Sequence, residues 1–356
     1  MEPSGRVAHG ALDHAELAAL GLDATHLLDF SSNLNPFGPP AGVRAALAAL
    51  DPAPYPDRSC RALRLALAAR HRCAPAAILP GNGANELIHL LARALLQPGD
   101  VTLIVGPSYG EYAHASRLAG AQLLEVCAHE GARFELDAEL LHVALTSARP
   151  RLTWLCAPNN PTGVDASPPF IAELAAGCAA HGGLLVVDRS YLELRRPAHA
   201  EHPAPDPAGV IWLHSLTKSH ALAGLRLGYL RAAPALVERV AAYQPAWSVS
   251  SAAQAAGLAA LADTAFLPTT VPQLWAASDA LHAALSELGL SVWRAALPFM
   301  LVRTGDGAAT RAALLRRGCV VRDCASFGLP AWVRLAPRRP AENGRLVEAW
   351  GGIVTR

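Results

Sequence analysis

Short apolar runs alternate with segments of helical periodicity between residues 101 and 214, and this alternation constrains the fold more than any other feature of the sequence. Strands that are apolar on both faces and separated by helices are typical of a mostly parallel sheet that helices cover on both sides. We therefore predict an α/β fold. The apolar runs are VTLIV (101–105), QLLEVC (122–127), RLTWLCA (151–157), LLVVD (184–188) and VIWLH (210–214).

Polar side chains follow these runs, at the points where the predicted strands end. Ligands of parallel α/β sheets bind beyond the carboxyl ends of the strands, so we expect these side chains to share one site. The polar residues are Ser108, Tyr109, Asn160, Asp188, Tyr191, Ser215, Thr217 and Lys218.

Lys218 is the only lysine in a chain with 30 lysines and arginines in total. Unlike a guanidinium, an amine can lose its proton and attack a carbonyl. The hydroxyls of Ser215 and Thr217 and the guanidinium of Arg226 suit a phosphate. A phosphorylated aldehyde would satisfy this set, and pyridoxal phosphate (PLP) is such a cofactor. The alternative is a buried lysine without a chemical role.

The other polar residues could also contact PLP. Asp188 would be costly to bury as an isolated ion, whereas beside a protonated pyridine nitrogen it would keep the ring an electron sink. Tyr109 can stack on the ring face, and Asn160 and Tyr191 can hydrogen-bond the phenolate oxygen. Taken singly, these residues could instead be a helix cap, core tyrosines and a turn asparagine.

The Gly81-Asn82-Gly83 sequence could form a hairpin turn. Residues 85–96 show helical periodicity, however, and no partner strand is evident after them, so we predict that the glycines open a helix. The free backbone N–H groups of Gly83, Ala84 and Asn85 would then form an anion site.

Two N-terminal stretches are too rich in Pro, Asn and Gly for regular structure. In LLDFSSNLNPFGPP (27–40), Asn33 and Asn35 are candidates to line a pocket, and a purely structural loop is the alternative. Tyr55 lies between two prolines in PAPYPD (52–57). The prolines restrict the backbone and suit an aromatic side chain that is held outward.

Beyond residue 246, helical stretches at 251–262 and 272–288 precede short strand-like segments, which predicts a smaller α+β domain. Arg322 and Arg334 lie on or beside these strands, where they would face substrate anions or belong to a solvated surface. The predicted division is an N-terminal arm and active-site loop (1–40), a large PLP-binding domain (41–245) and a small C-terminal domain (246–356).

Composition and charge argue against several classes of function. The chain has 356 residues and a net charge of +1, so its overall electrostatic field is too weak to attract nucleic acid or anionic lipid. The N-terminus lacks the charged start and apolar run of a signal peptide. The seven cysteines show no C-x-x-C spacing. We expect a cytoplasmic protein with reduced cysteines, no metal site and no membrane segment.

The motifs APNNPTG, LVVDRSY, HSLTKSHALAGLRLGY and AWVRL occur in the order and at the spacing of the fold-type I PLP enzymes of the class I/II aminotransferase family, which the chain resembles over essentially its whole length. The resemblance implies Lys218 as the Schiff-base lysine and Arg334 as the anchor of the substrate α-carboxylate. It implies a homodimer in which Tyr55 reaches the cofactor phosphate of the neighbouring subunit. The implied PLP contacts are Asp188 to the pyridine nitrogen, Asn160 and Tyr191 to the phenolate oxygen, Tyr109 to the ring face, and Ala84, Asn85, Ser215 and Arg226 to the phosphate.

Within that family, the chain is similar to the branch that contains threonine-phosphate decarboxylases and histidinol-phosphate aminotransferases. Both share the N-x-N-P-x-G loop and YPD, whereas His9-Gly10, LDFSSNLNP and VVRDCASF favour the decarboxylases. The resemblance therefore implies decarboxylation of L-threonine O-3-phosphate to (R)-1-amino-2-propanol O-2-phosphate in cobalamin biosynthesis. The residues implied to bind this small phosphorylated substrate are His9, Asn35, Arg322 and Arg334.

Three alternatives remain open at this point. The first is an aminotransferase of the histidinol-phosphate type, which would transfer an amino group to 2-oxoglutarate. The others are a PLP-fold regulator that binds ligand without turnover, although no basic helix-turn-helix segment is evident, and an inactive homologue. The chain also departs from the family at two places. Arg189-Ser190 replace the usual Glu-Ala after the aspartate, and Ala11-Leu12 replace the Gly-Asn that often follows His-Gly.

Overall fold

The computed structural model describes residues 7, 9–196 and 207–354 of the chain. The strands are β1 (Leu28–Asp29), β2 (Ile78–Asn82), β3 (Val101–Gly106), β4 (Gln122–Cys127), β5 (Leu152–Cys156), β6 (Leu184–Asp188), β7 (Val210–Ser215), β8 (Leu227–Arg231), β9 (Ser291–Trp293), β10 (Met300–Arg303), β11 (Cys319–Val320), β12 (Arg322–Asp323) and β13 (Trp332–Leu335).

The α-helices flank these strands and connect most of them. None of the described helices is both long and apolar enough to cross a membrane. The helices are α1 (His14–Ala19), α2 (Ala41–Ala48), α3 (Arg61–His71), α4 (Gly83–Leu95), α5 (Glu111–Leu118), α6 (Ala138–Ala148), α7 (Pro168–Ala179), α8 (Leu216–Ser219), α9 (Pro234–Ala241), α10 (Ser251–Ala262), α11 (Phe266–Glu287), α12 (Gly307–Leu315) and α13 (Pro340–Val354).

Seven strands form the central sheet, in the order β2-β8-β7-β6-β5-β3-β4. Among these described strands β8 alone runs against the others, between β2 and β7. The prediction of a mostly parallel α/β sheet is confirmed, and the five apolar runs correspond to β3 to β7. The sequence patterns do not predict β2 and β8, because Pro80, Gly81 and Gly228 interrupt their apolar character.

Helices cover both faces of the central sheet. Ile104 and Trp154 pack in a buried cluster with residues of α4, α5 and α9. Leu103 and Leu155, their neighbours in sequence, pack on the other face with residues of α6 and α7. Since adjacent residues of one strand are buried on opposite faces, the strands are apolar along their whole length.

The small domain is built on a four-stranded antiparallel sheet in the order β12-β13-β10-β9. Its apolar face packs against α11, α12 and α13. Arg322 of β12 and Arg334 of β13 are cross-strand neighbours in this sheet. The small sheet therefore brings two guanidiniums to one place.

Two sets of contacts cross the predicted domain division. In the N-terminal arm, β1 pairs in parallel with β11, and Leu17 of α1 packs against Leu315 and Val320. Helix α10 packs against α2 and α3, where Ala256 contacts the cluster around Leu63. The packing therefore joins the arm to the small domain and places α10 with the large domain.

Candidate active site

A cavity of about 410 Å³ lies where the ends of β5, β6 and β7 meet the small domain and the N-terminal arm. Most of the side chains predicted from the sequence line it, although their segments are far apart in the chain. The predicted residues along the cavity are His9, Ala84, Asn85, Tyr109, Asn160, Asp188, Tyr191, Ser215, Thr217, Lys218, Arg226, Arg322 and Arg334.

The structure corrects the prediction that Asn35 binds substrate. Its Nδ2 donates to Ser219 O at 3.1 Å and to Thr270 Oγ1 at 2.9 Å, and its backbone N–H donates to Lys218 O at 3.0 Å. Asn35 therefore ties the N-terminal loop to the lysine segment from behind. Asn33, two residues earlier, lines the cavity instead.

Tyr55 also lies away from the cavity of its own chain. Its side chain is 80% exposed and stacks on Trp247, with ring centroids 4.7 Å apart. This placement agrees with an aromatic side chain held outward by its flanking prolines. Contact between Tyr55 and a neighbouring subunit stays a prediction.

The first turn of α4 forms one end of the cavity. Gly83 opens this helix at φ +79°, and a Cβ added to it would lie 2.7 Å from Arg226 Nη2. Another residue here would be strained at this φ and would displace the guanidinium from its present position. Ala84 and Asn85 line the cavity at the start of the helix, where free N–H groups favour an anion.

Lys218 lies on the single turn α8, directly after β7. Ser215 begins this turn by accepting a hydrogen bond from Thr217 N–H at 3.2 Å, and the two hydroxyls are 2.5 Å apart. Burial, followed by repulsion from two nearby arginines, lowers the pKa of Lys218 from 10.5 to about 8. About one tenth of the amine is therefore neutral at pH 7 and able to attack a carbonyl, far more than at the ordinary pKa.

Asp188 ends β6 as a buried carboxylate with two donors. The hydroxyl of Tyr112 donates to Oδ2 at 2.7 Å, and the backbone N–H of Ser190 donates to Oδ1 at 2.8 Å. Burial raises the pKa of Asp188, and these two donors oppose that rise. The departure at Arg189-Ser190 thus leaves Asp188 in place. A carboxylate has lone pairs left for a further donor, such as a protonated pyridine nitrogen.

Arg334 sets the orientation of the Asn160 amide. Its Nη1 donates to Asn160 Oδ1, and its Nη2 donates to Ser31 O at 2.6 Å. The Nδ2 group of Asn160 is then the donor offered to a ligand. Nearby, Asn33 Nδ2 donates to the Tyr191 hydroxyl at 3.3 Å. Burial raises the pKa of Tyr191 to about 12, so this hydroxyl keeps its proton and can donate.

His9, Tyr109 and Arg322 lie together at the mouth of the cavity. The rings of His9 and Tyr109 are 5.7 Å apart between centroids, and burial raises the pKa of Tyr109, so its ring stays neutral. Arg322 Nη1 donates to His9 O at 3.1 Å, and Nη2 donates to Ser326 Oγ at 2.6 Å. Burial and the neighbouring Arg334 lower the pKa of Arg322.

The sequence reasoning misses Tyr112, which holds Asp188, because an aromatic residue inside a helix is usually part of the core. Tyr112 is also packed as a core residue, stacked on Trp154 with centroids 5.1 Å apart. Its position three residues after Tyr109 could have suggested a shared helix face.

The cavity fits PLP at each of the cofactor's functional groups. It offers an anion site for the phosphate, Lys218 for the aldehyde, Asp188 for the pyridine nitrogen and two donors for the phenolate oxygen. Among the described residues, Asn85 Oδ1 and Arg334 Nε are buried polar atoms without a hydrogen-bond partner, as expected of groups that await a ligand.

Comparisons with known proteins agree with this description. The model of the family described as aminotransferase class I and II matches residues 25–349. Histidinol-phosphate aminotransferase 2 from Ralstonia nicotianae is 34% identical over 92% of this chain and 89% of its own length. Threonine-phosphate decarboxylase from Salmonella typhimurium is 34% identical over 98% of this chain and 97% of its own length.

Solved structures give the same fold. Histidinol-phosphate aminotransferase from Sinorhizobium meliloti, solved in complex with pyridoxal-5'-phosphate, superposes with a TM-score of 0.86 at 24% identity, covering 97% of this chain and 95% of the other. The family match spans most of the sequence and confirms the predicted family, fold and PLP cofactor. The chain belongs to the class I and II aminotransferase family of PLP-dependent enzymes.

Proposed function

We propose that this enzyme decarboxylates L-threonine O-3-phosphate to carbon dioxide and (R)-1-amino-2-propanol O-2-phosphate. The observation that carries the proposal is the pair Arg322 and Arg334, which are cross-strand neighbours and both line the cavity. Two buried guanidiniums side by side repel each other, and a substrate with two anionic groups relieves that repulsion. Threonine phosphate supplies a carboxylate and a phosphate.

Arg334 is the better candidate for the α-carboxylate, because its neighbours fix its position. It is 5% exposed, and its contacts with Asn160 and Ser31 hold the guanidinium in one orientation. When bound, PLP takes up the electron pair of the Cα bond that lies perpendicular to its ring, so the orientation of the substrate selects the reaction. Arg334 can therefore direct which bond to Cα breaks.

Lys218 is the candidate for the proton transfer that completes the reaction. When the bond between Cα and the carboxylate breaks, carbon dioxide leaves and a proton must be added at Cα. An amine with a pKa of about 8 can hold or release a proton near neutral pH. The small domain and the N-terminal arm close the cavity on two sides, which limits the access of water to this step.

Amino transfer of the histidinol-phosphate aminotransferase type is the second candidate, and the names of related proteins favour it. Aminotransferase names outnumber the decarboxylase name among relatives of similar identity. Arg322 and Arg334 would also suit an amino acceptor with two carboxylates. In support of decarboxylation, the decarboxylase relative matches nearly the whole of this chain, more than the first-named aminotransferase does.

We also propose a homodimer in which Tyr55 completes the site of the neighbouring subunit. Tyr55 and Trp247 form a stacked pair at the surface, and Trp247 is 45% exposed. Exposed aromatic residues are enriched at protein interfaces, which supports a partner surface at this position.

A substrate panel tests the proposed reaction. The enzyme loaded with PLP is incubated with L-threonine O-3-phosphate and, separately, with histidinol phosphate plus 2-oxoglutarate. We expect carbon dioxide from the first mixture, with plain threonine used roughly ten- to a hundredfold less well because it lacks one charge-assisted contact. Amino transfer from histidinol phosphate, without carbon dioxide from threonine phosphate, would establish the second candidate.

A further inference from the structure

Glu111 is a buried carboxylate outside the set of residues that fit PLP. It lies in the first turn of α5, two residues after Tyr109, and is 5% exposed. Each of its oxygens contacts a histidine, with His9 Nε2 2.8 Å from Oε1 and His89 Nε2 2.9 Å from Oε2. A carboxylate only accepts hydrogen bonds, so both imidazoles carry a proton on Nε2.

His9 connects three parts of the molecule. Its ring contacts Glu111 of the large domain, and its backbone carbonyl accepts from Arg322 of the small domain at 3.1 Å. Both His9 and Arg322 line the cavity. Residue 9 of the N-terminal arm therefore bridges the two domains across the mouth of the cavity.

The two residues that follow His9 in the arm pack against the cavity wall. A Cβ added to Gly10 would be 2.7 Å from Ser31 O and 3.4 Å from Arg334 Nη2. The backbone N–H of Ala11 donates to Ser31 Oγ at 2.8 Å. The arm thus lies directly beside the guanidinium assigned to the substrate carboxylate. A shift of His9 would therefore displace backbone that packs against Ser31 and Arg334 in the cavity.

The Glu111 carboxylate is ionised whenever the enzyme is folded at neutral pH. Burial raises its pKa, but the hydrogen bonds from His89 and His9 outweigh burial and bring the pKa to about 2. A buried carboxylate that loses one of its partners is left with an uncompensated charge. The attachment of His9 to Glu111 is therefore specific and costly to break.

We infer that Glu111 is a positioning residue, which fixes His9 so that the N-terminal arm closes the cavity over a bound phosphorylated substrate. His89 holds the second oxygen and keeps the carboxylate in the required rotamer. The inference rests on the proposed function only in the phosphate of the substrate, and both candidate reactions use a phosphorylated compound.

The test compares Glu111→Gln, His9→Ala and the double variant. Glutamine keeps the size of the side chain but has one acceptor oxygen, so it cannot accept from both histidines. We expect KM for the phosphorylated substrate to rise roughly tenfold in each single variant, with kcat little changed, because one charge-assisted contact is lost. The double variant should be no worse than His9→Ala, since Glu111 acts through His9.

Hydrogen exchange of the PLP-loaded enzyme without substrate gives a second measurement that does not depend on the reaction. The backbone amides of residues 10–12 should exchange faster in Glu111→Gln than in the wild type. Glu139→Gln is the matched control, because Glu139 is an exposed glutamate in the first turn of α6, and it should change neither result.

Unchanged exchange and unchanged KM in Glu111→Gln would overturn the inference, whichever reaction the enzyme catalyses. Additive effects in the double variant would also overturn it, because they would show that Glu111 acts on the site independently of His9. If the wild type used neither phosphorylated substrate, the proposed function would fail, while the exchange measurement would still decide whether Glu111 holds the arm.

Discussion

The hydroxyl of Tyr112 donates a hydrogen bond to Asp188 Oδ2 at 2.7 Å, and so links helix α5 to the end of strand β6. The two residues are 76 positions apart in the chain, and both are buried. Helix α5 and the residue before its N-cap provide Tyr109 to the cavity, Glu111 to His9 and Tyr112 to Asp188. One short helix and the segment just before it therefore position three side chains in and around the cavity.

We expect Tyr112→Phe to weaken cofactor binding. The change removes one of the two protein donors to Asp188. With fewer donors, the buried carboxyl favours its protonated form, which pairs less well with a protonated pyridine nitrogen. PLP affinity should fall about tenfold, measured by absorbance titration of the apoenzyme. Tyr243→Phe is the control, because Tyr243 is 43% exposed at the surface. An unchanged PLP affinity in Tyr112→Phe would show that this hydrogen bond does not support Asp188.

Covalent attachment of PLP to Lys218 should depend on pH with a midpoint near the lowered pKa of about 8. Lowering the pKa of an amine raises the neutral fraction at a given pH, from about one tenth at pH 7 to about nine tenths at pH 9. The initial rate of attachment to the apoenzyme should rise in that range and then level off.

Two controls define this prediction. Lys218→Arg should attach no PLP, since a guanidinium does not give up its proton. Pyridoxamine phosphate, which lacks the aldehyde, should bind without the same rise. A rate that still climbs tenfold per pH unit above pH 9 would show that Lys218 has an ordinary pKa, and borohydride labelling of no peptide would contradict its role.

Arg334→Ala and Arg322→Ala should have different effects on substrate use. Arg334→Ala should reduce kcat/KM for threonine phosphate and for plain threonine by a similar factor, roughly ten- to a hundredfold, because both carry the α-carboxylate. Arg322→Ala should reduce kcat/KM mainly for the phosphorylated compound. The measurement is steady-state kinetics with both substrates. Equal losses in the two variants would show that the two anions are not bound by separate arginines.

Mixed dimers test the position of Tyr55. If Tyr55 acts on the neighbouring subunit, mixing Tyr55→Phe chains with Lys218→Ala chains creates one site with an intact lysine and an intact tyrosine. The activity of each mixed dimer should then recover to about the level of one intact site. If mixed dimers form, as shown by mass spectrometry, but are no more active than the parents, Tyr55 does not act across the interface.

The residues that follow strands could be predicted from the sequence. Asn160, Asp188 and Lys218 each come after an apolar run of at least four residues, and parallel strands bring their carboxyl ends to the same edge of the sheet. The order of the runs predicts a shared site, and the single lysine with the neighbouring hydroxyls and Arg226 predicts the cofactor. The strand-like segments near the C-terminus contain Arg322 and Arg334, which the sequence predicts as anion contacts. The pairing of β12 with β13 brings the two residues together, and this pairing could not be predicted.

Contacts that depend on side-chain direction could not be predicted in this way. Asn33 and Asn35 lie two residues apart in one loop of similar composition, and only the path of the backbone decides which one lines the cavity. Tyr112 and Glu111 meet partners 76 and 102 positions away, and the periodicity of α5 gives no information on those partners. The sequence does not predict strand β8, because Gly228 lies directly against the start of α4, where an added Cβ would be 2.6 Å from Ala84 N.

The most direct measurement of the central claim uses L-threonine O-3-phosphate labelled with ¹³C in the carboxylate and ¹⁵N in the amino group. The PLP-loaded enzyme is supplied with this substrate and with 2-oxoglutarate, and the products are followed by NMR and mass spectrometry. We predict that the ¹³C leaves as carbon dioxide while the ¹⁵N stays in 1-amino-2-propanol phosphate. Transfer of the ¹⁵N to glutamate, with the ¹³C retained in the product, would contradict the account.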